Sequence, residues 1–304
     1  MTFVLAHLSD AHIGPLPRPL KRELMGKRLT GYVNWRRRGR LHDMETLTRL
    51  VEDLQRQSPD HIAMTGDILN IGLAAEFPLA SAWLGTLGTP HDVSFVPGNH
   101  DAYTRGSVTH LASTFMPWVV EDGPEDPRYA FPYVRHRGDI ALIGLSSAVP
   151  TAPFLASGSL GHAQCDRLAP ILEDTGRQGL ARIVMIHHPP NRTGASGGRG
   201  LRDAKRLERL LALHGAELII HGHNHRTSVI HLPGPTRPIP VVGVPSASAV
   251  PGSPNHRATY HLYRIEREGP DGWTVSATQH GLAPGQSGVT ADSRDIVDLG
   301  PLPL

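Results

Sequence analysis

The sequence of 304 residues contains one cysteine, Cys165, and no apolar run that approaches the roughly 20 residues of a membrane-spanning helix. A single cysteine excludes an internal disulfide framework and a metal cluster built from cysteines. No basic segment precedes the first apolar stretch, and Asp10 ends that stretch early, so we expect no signal peptide. Together these absences predict a cytoplasmic protein.

Aromatic residues are scarce at 5 %, whereas hydrophobic residues reach 39 % and charged residues 19 %. This composition is typical of a globular chain and excludes a wholly disordered one. Glycine and proline are frequent, but they follow no repeat, which excludes collagen. Histidine is in unusual supply, with 19 copies, so clusters of histidine indicate where to look for chemistry.

The net charge of +2 hides an uneven distribution of basic residues. Between Arg18 and Arg40 the sequence has nine basic residues and one acid, Glu23. This segment therefore carries a charge of +8, and the rest of the chain carries −6. A local field of this kind influences binding partners rather than the fold.

Hydrophobic periodicity predicts an α/β domain over residues 1–280, with a basic insert at 14–41 and an irregular tail at 281–304. Short apolar strands alternate first with amphipathic helices, and the predicted helices include 43–57, with Asp43 as N-cap, and 161–175. From about residue 227 the period changes to two, which predicts consecutive antiparallel strands.

Polar clusters follow directly on five predicted strands. They are Asp10-Ala11-His12, Gly66-Asp67, Gly98-Asn99-His100-Asp101, His187-His188 and Gly222-His223-Asn224-His225. In a sheet built from strand–helix units, the carboxyl ends of the strands share one edge, and ligands bind there. We therefore expect these side chains to surround one point.

The types of donor in these clusters indicate a metal site. Carboxylate and imidazole groups without thiolates suit Mn²⁺, Fe²⁺ or Zn²⁺. Seven ligands are too many for one ion that must keep an open position. Two ions that share a bridging carboxylate would use all seven, and such pairs act in displacement reactions at phosphorus. The glycines at 66, 98 and 222 would let the backbone turn sharply beside the ions.

The ordered set of clusters resembles the calcineurin-like metallophosphoesterase superfamily over residues 3–266. The Gly-Asn-His-Asp block, which ends in Asp101, resembles the form of this block in the bacterial phosphodiesterase branch rather than the form in the Ser/Thr protein phosphatases. The resemblance implies a four-layer α/β/β/α sandwich of two mixed sheets. It also implies two divalent metal ions as cofactors (Mn²⁺, Fe²⁺/Fe³⁺ or Zn²⁺) and a phosphoester substrate.

The resemblance further implies a role for each cluster. The first metal would be held by Asp10, His12, Asp67 and His225, and the second by Asp67, Asn99, His187 and His223. A hydroxide between the metals would attack phosphorus in line. His100 would donate a proton to the leaving oxygen, and Asp101 would orient the ring of His100. His188, beside Pro189, is left open: it could line the pocket, hydrogen-bond the backbone or bind substrate directly.

The basic insert leaves several interpretations open. It places Tyr32 and Trp35 among arginines, with Arg36, Arg37 and Arg38 directly following. The insert could be a solvated loop, or a cap in which Trp35 and Arg36–Arg38 contact an anionic substrate or an anionic membrane surface. The same composition suits a stacked nucleic-acid base. The sequence disfavours nucleic acid, because it shows no second basic patch for a groove.

The substrate remains open at this level. A phospholipid or glycerophosphodiester is favoured by the insert, and a cyclic nucleotide is favoured by similarity to the phosphodiesterase branch. A non-catalytic scaffold on the same fold is the alternative of another class, but such a chain would be expected to lose at least one ligand or His100. Nothing in the sequence indicates an oligomeric state.

Overall fold

The computed structural model describes residues 2–38, 41–119, 130–250, 257–269, 272–282 and 289–298. The strands are β1 (Thr2–Leu8), β2 (His61–Met64), β3 (Val93–Phe95), β4 (Tyr133–Arg137), β5 (Ile140–Gly144), β6 (Ala181–Met185), β7 (Leu218–His221), β8 (Ser228–Leu232), β9 (Ile239–Gly243), β10 (Thr259–Glu268), β11 (Gly272–Leu282) and β12 (Val289–Asp298). The helices are α1 (Lys27–Arg38), α2 (Met44–Arg56), α3 (Glu76–Leu87), α4 (Arg105–Phe115), α5 (Gly161–Arg177) and α6 (Ala204–His214).

The strands form two mixed sheets of six strands each. The first sheet has the order β12-β11-β10-β1-β2-β3, and the second has the order β4-β5-β6-β7-β9-β8. In the first sheet β1 runs parallel to β2 and antiparallel to β10. Helix α2 packs against β10 and β11 on one side of the molecule, and α5 packs against β6 on the other. The predicted four-layer α/β/β/α sandwich is confirmed.

Strand β6 shows how one sequence builds two hydrophobic cores. Ile183 and Met185 belong to the core that also contains residues of the first sheet, whereas Val184, between them, belongs to the core under α5 and α6. Successive strand residues point to opposite faces, so a continuous apolar run is needed where both faces are covered. The run from 183 to 186 meets that need.

Helix α2 begins where the sequence predicted. The Asp43 carboxylate accepts hydrogen bonds from the backbone amides of Glu45 and Thr46, at 3.4 and 3.0 Å, which satisfies two donors of the first turn. Leu47, Leu50 and Leu54 are buried, as the helical spacing requires.

The predicted irregular tail at 281–304 is wrong for part of its length. Strand β11 continues to Leu282, and β12 pairs with it antiparallel from the pair Val289–Leu282 onward. The Gly-, Pro- and Ser-rich composition of this segment did not predict a strand. The strand forms nevertheless, because edge strands are stabilised by pairing with a neighbour as much as by their own propensity. Residues 283–288 and 299–304 lie outside the described residues.

The second half of the basic insert is a helix rather than a loop. Helix α1 occupies 27–38, and its Tyr32 and Trp35 pack against a small cluster that contains Leu16, Ile71 and Leu73. Sequence periodicity did not reveal α1, since its inward face carries polar and aromatic residues instead of an aliphatic stripe. In the ranges that the structure describes, no helix has the length and apolar character needed to cross a bilayer.

The C-terminal strands also differ from the simple antiparallel series that was predicted. Strand β9 pairs antiparallel with β8 but parallel with β7, so these strands complete the second sheet. Strand β10 instead crosses to the first sheet and pairs with β1. The pairing partners are non-local, which is why a period of two identified the strands but not their sheets.

Candidate metal centre

The candidate ligands lie at the carboxyl ends of strands from both sheets. Asp10 follows β1, and Asp67 and Asn99 follow β2 and β3 of the same sheet. His187 and His223 follow β6 and β7 of the other sheet. The edge predicted from the sequence is therefore a seam where the two sheets meet.

Main-chain hydrogen bonds hold the ligand loops together. The amide of Asp10 donates to Gly66 O at 2.9 Å, and the amide of His12 donates to Asp67 O at 3.0 Å. The amide of His223 donates to Asp10 Oδ2 at 3.0 Å, which joins the second sheet to the first. The first two bonds fix the loops through the main chain alone, whereas the third uses the carboxylate of a candidate ligand, Asp10.

Two glycines permit the close approach of these loops. A Cβ at Gly222 would overlap with the side chains of Ser9 and Asp10, and a Cβ at Gly98 would overlap with the carboxylate of Asp67. Gly66 also has a positive φ, of 91°, which favours glycine. The glycine requirement that the sequence indicated is thus one of space at 66, 98 and 222, and at 66 also one of backbone conformation.

Five candidate ligands adopt a left-handed backbone conformation. Their φ values are 55° for Asp10, 40° for His12, 56° for Asp67, 70° for His223 and 52° for His225. Such conformations are uncommon for residues other than glycine and cost of order 1–3 kcal/mol each. They persist where the surroundings over-determine them, and they concentrate at functional sites.

Main-chain carbonyls orient three of the histidines. His12 Nδ1 lies 3.0 Å from Leu69 O, and His187 Nδ1 lies 2.6 Å from Thr65 O. His100 Nδ1 makes the same kind of contact with Asn70 O. Because a carbonyl only accepts, Nδ1 carries the proton in each ring, and Nε2 of the neutral ring is left with a lone pair. This second contact is typical of histidines that bind metals.

The ligand atoms form groups that a cation could occupy. In each group they lie within 4.8 Å of one another, and the groups are Asp10, His12 and His225; His12, Asp67 and His100; and Asp67, His187 and His223. His225 Nε2 lies 3.1 Å from Asp10 Oδ1, and His187 Nε2 lies 3.2 Å from Asp67 Oδ2. Asp67 therefore stands between two neighbouring positions.

Unsatisfied buried atoms show that this arrangement fits metal ions. Asn99 Oδ1 and His223 Nε2 are buried and have no hydrogen-bond partner. A buried acceptor without a partner costs free energy, and a cation would satisfy both atoms. Two carboxylates, one amide oxygen and imidazoles, without thiolates, match Mn²⁺, iron or Zn²⁺.

The protonation states also suit cation binding. Burial raises the pKa of Asp67, but His187 and His100 outweigh it and hold that pKa well below its ordinary value. Burial and neighbouring histidines lower the pKa values of His12 and His223 well below the ordinary value. Burial opposes protonation of His187 too, but the Asp67 carboxylate raises its pKa to about 9. The centre thus presents ionised carboxylates and neutral imidazoles at His12 and His223, whereas an ion that binds His187 would have to displace a proton from its ring.

Asp101 does not have the role expected from the sequence. Its carboxylate accepts hydrogen bonds from the amides of Asp67, Ile68 and Leu69, at 2.7, 3.0 and 3.1 Å, and from Gly98 N at 2.8 Å. The expectation that Asp101 orients the ring of His100 is wrong, since Asn70 O does so. Asp101 instead ties the Asp67 loop to the Asn99 loop.

His188 lies beside the centre without facing into it. Its Nδ1 is 2.8 Å from Ser147 Oγ and its Nε2 is 3.0 Å from Ala156 O, so both ring nitrogens are engaged. Burial and the neighbouring His187 lower its pKa to about 3. The ring packs 4.3 Å from that of His223, between centroids. Of the alternatives that the sequence left open for His188, these contacts match the hydrogen bond to the backbone, and a direct role in substrate binding stays a prediction.

His42 is a site residue that the motifs did not reveal. Its ring centroid lies 4.5 Å from that of His12, and its Nδ1 lies 2.8 Å from Ser248 Oγ. Burial and His225 lower its pKa to about 4. The sequence could have indicated His42 only by its position. It follows the insert that begins just after His12, and it directly precedes the N-cap of α2.

The predicted substrate residues of the insert are divided by the structure. Arg36 and Arg37 are exposed, as expected, and the side chain of Arg38 lies outside the described residues. Trp35 is half-buried in the cluster with Ile71 and Tyr103, so it is not free to enter a headgroup layer. Tyr103 lies against His100, with ring centroids 5.6 Å apart, which places α1 next to the centre.

A family model described as calcineurin-like phosphoesterase matches residues 3–227. The chain belongs to the calcineurin-like phosphoesterase family. It is accordingly a metal-dependent phosphoester hydrolase, and its candidate metal ligands occur in the expected order.

Two curated relatives of this calcineurin-like phosphoesterase are bacterial. The glycerophosphodiester phosphodiesterase GpdQ of Enterobacter lignolyticus is 26 % identical over 235 residues, 74 % of this chain and 72 % of GpdQ. A "probable cyclic nucleotide phosphodiesterase" of Synechococcus is 27 % identical over 180 residues, 58 % of this chain and 62 % of that protein.

Solved structures agree at the level of the fold. A dimetal phosphatase from Danio rerio superposes with a TM-score of 0.60 at 13 % identity, covering 95 % of this chain and 98 % of that one. At this identity the likeness supports the two-sheet architecture and carries no information about the substrate.

Proposed function

We propose that this calcineurin-like phosphoesterase hydrolyses phosphodiesters with two divalent ions. One ion would be held by Asp10, His12, Asp67 and His225, and the other by Asp67, Asn99, His187 and His223. The observation that carries the proposal is the position of Asp67, whose carboxylate is shared by two groups of potential ligands. The unsatisfied Asn99 and His223 atoms support the second position.

The reaction divides between the ions and the chain. When bound, two divalent ions supply Lewis acidity at the phosphoryl oxygens and make a nucleophile available at neutral pH. His100 is half-buried beside this point, with Nδ1 fixed by Asn70 O and Nε2 near Asp67 and His12. We assign the imidazolium form of His100 the transfer of its second ring proton to the leaving oxygen, which general acids do at hydrogen-bond distance, and the ring is then left neutral with Nδ1–H still on Asn70 O.

The proposed substrate is a glycerophosphodiester or a phospholipid. Support comes from the match to GpdQ, which spans nearly three quarters of both chains, and from the basic helix α1 beside the centre. Arginine side chains pair well with phosphate oxygens. Both features favour a substrate that carries its charge on phosphate.

A cyclic nucleotide is the second candidate. It is favoured by the Synechococcus relative, whose match covers a shorter part of this chain. A non-catalytic scaffold is disfavoured, since the full set of candidate ligands and the proposed acid are present and converge at one seam. The set is Asp10, His12, Asp67, Asn99, His187, His223 and His225, with His100 as the acid.

A substrate panel with Mn²⁺ tests the proposal. Bis(4-nitrophenyl) phosphate, glycerophosphoethanolamine, phosphatidylglycerol and cyclic AMP should be compared at equal phosphate concentration. We expect kcat/KM for the glycerol-linked diesters to exceed that for cyclic AMP by about tenfold or more. The reverse order would establish the cyclic-nucleotide function. A protein that binds two ions and cleaves none of the four would be a scaffold.

A further inference from the structure

The outer face of α1 combines apolar and basic side chains. Leu29 and Val33 are 50 % and 42 % exposed, and Arg36 and Arg37 are exposed beside them. Val33 follows Leu29 by four positions and precedes Arg36 and Arg37 by three and four, so all four lie on one side of the helix. We call these four residues the α1 face.

The opposite side of α1 is anchored to the rest of the protein, so the helix cannot rotate to bury the α1 face. Arg28 donates hydrogen bonds to Ile71 O at 3.3 Å and Gly72 O at 2.5 Å. A Cβ at Gly31 would overlap with the hydroxyl of Tyr103, so the helix lies directly on that ring. The exposure of Leu29 and Val33 is thus a fixed property of the fold.

Further exposed apolar side chains lie in segments next to α1. Leu20 and Met25, which precede the helix, are 53 % and 75 % exposed, and Phe154 is 90 % exposed. Lys27 Nζ donates to Thr151 Oγ1 at 2.6 Å and to Leu155 O at 3.3 Å, so the Phe154 loop lies against α1. A concentration of exposed apolar side chains marks an interaction site.

The charge of the segment around the α1 face is predominantly positive. Lys21 and Arg22 are exposed on the segment before the helix, and Arg36 and Arg37 follow Val33. Glu23, the single acid between Arg18 and Arg40, accepts a hydrogen bond from the Leu20 amide at 2.8 Å. A helix face with apolar and basic side chains together is complementary to an anionic bilayer, which offers phosphate at the surface and acyl chains below it.

We propose that the α1 face docks on an anionic lipid surface and presents the metal centre to phosphodiesters held there. This deepens the proposed function, on which it rests, by naming a bilayer as the place where the substrate is met. The centre is close, because Tyr103 contacts α1 on one side and His100 on the other. Trp35 does not take part, since it is packed inward.

Vesicle sedimentation tests the docking without any substrate turnover. Full-length protein should bind vesicles of phosphatidylglycerol and phosphatidylcholine in equal parts, and bind pure phosphatidylcholine at least about tenfold more weakly. The variant L29S/V33S should lose about tenfold or more in affinity for the anionic vesicles. The matched control L79S/L213S removes two apolar side chains that are 52 % and 68 % exposed on other helices, and it should bind like the parent.

A second variant separates the charge contribution. R36Q/R37Q should weaken binding to anionic vesicles by about 25-fold at low salt, because each basic residue near such a surface contributes about a fivefold change. The difference from the parent should shrink at high salt, where the Debye length falls to about 3 Å at 1 M.

The outcomes distinguish this proposal from its alternatives. Hydrolysis of bis(4-nitrophenyl) phosphate by L29S/V33S should equal that of the parent, so failure of the proposed function would appear there and not in sedimentation. Docking is overturned if the parent does not bind anionic vesicles, or if L79S/L213S loses as much affinity as L29S/V33S. It is also overturned if L29S/V33S converts a dimeric parent into a monomer, or if single-stranded DNA binds more tightly than vesicles of equal phosphate.

Discussion

Asp67 and His188 differ in how many potential metal ligands they contact. Asp67 contributes its carboxylate to two groups of potential ligands, and its amide and carbonyl take part in bonds to Asp101 and His12. His188, by contrast, is fully engaged with Ser147 and Ala156. The two residues are both buried, which makes them a matched pair for testing ligation.

Asp67→Ala should reduce the metal content from two ions per chain to one or none and lower kcat by about 10³-fold or more, since two metal positions lose a shared ligand. His188→Ala should retain both ions, although the cavity it leaves lowers stability. Inductively coupled plasma mass spectrometry of the purified proteins, with turnover of bis(4-nitrophenyl) phosphate, measures both effects. Two ions and near-normal turnover in Asp67→Ala would disprove the ligand assignment.

His100→Ala should keep both ions and lower kcat by about 10²–10⁴-fold for substrates with poor leaving groups, the range for general acid catalysis. For 4-nitrophenyl esters the loss should be much smaller, because nitrophenolate leaves without a proton. Comparing the two substrate types in one buffer isolates the acid role. Equal losses for both types would argue against the acid role, and a lower metal content would identify His100 as a ligand.

At the scale of elements, α1 shows how a helix docks without an aliphatic stripe. It approaches Tyr103 closely because residue 31 is glycine, and Trp35 and Tyr32 complete the contact. Helix α3 contains Gly85, around which nothing lies within 4 Å of a Cβ position. Substituting these two glycines by alanine therefore distinguishes the effect of packing, at position 31, from the effect of intrinsic helix propensity, at position 85.

Gly85→Ala should raise the free energy of unfolding by up to about 1 kcal/mol, because alanine is the better helix former. Gly31→Ala should displace α1 from Tyr103, since the added methyl group has no space. Hydrogen exchange at 27–37 should become faster in Gly31→Ala and stay unchanged in Gly85→Ala. Unchanged exchange in Gly31→Ala would show that α1 does not depend on this contact.

The N-cap of α2 provides a pH-dependent prediction. Hydrogen bonds from the Thr46 hydroxyl and amide lower the pKa of Asp43 below its ordinary value of 3.8. The cap therefore stabilises the fold fully above that value and loses its effect as the pH falls through the lower, folded-state pKa. Asp43→Ala should cost about 1 kcal/mol at pH 7 and less at pH 3, by urea unfolding.

Glu52→Ala is the control for this cap, since Glu52 is exposed on the same helix. It should change stability by less than about 0.5 kcal/mol at either pH. An equal cost for Asp43→Ala at pH 7 and pH 3 would contradict a cap that acts through the ionised carboxylate.

At the scale of the molecule, the centre joins the two sheets. Asp10, Asp67 and Asn99 extend from the first sheet, while His187 and His223 extend from the second. Direct contacts already cross this seam, as between His187 Nε2 and Asp67 Oδ2 at 3.2 Å. Ions held at the seam would therefore stabilise the fold as well as act in catalysis.

Adding Mn²⁺ to chelator-treated protein should raise Tm by about 5 °C when the free ion exceeds its Kd about a hundredfold, because the ion binds the folded chain preferentially. Asp67→Ala should show little or no shift. His136→Ala, which removes an exposed histidine of β4, should shift like the parent. Differential scanning calorimetry measures all three proteins, and a full shift in Asp67→Ala would place the ions elsewhere.

The sequence by itself determined the family, the four-layer fold and the order of the candidate ligands. Each ligand cluster is a local signal, since a short apolar strand followed by a polar turn is visible in a few residues, and parallel strands present those turns at one edge. The N-cap at Asp43 was equally local and is confirmed.

Only the tertiary structure decided what depends on contacts between distant segments. Strand β12 forms through pairing with β11, and α1 is held by Tyr103, far along the chain. Asp101 lies next to His100 in sequence, yet its carboxylate reaches the amides of residues 67–69 while Asn70 O orients the His100 ring. Hydrogen-bond partners are chosen by geometry in the folded chain, so residue order revealed the donors and acceptors of this centre but not their pairing.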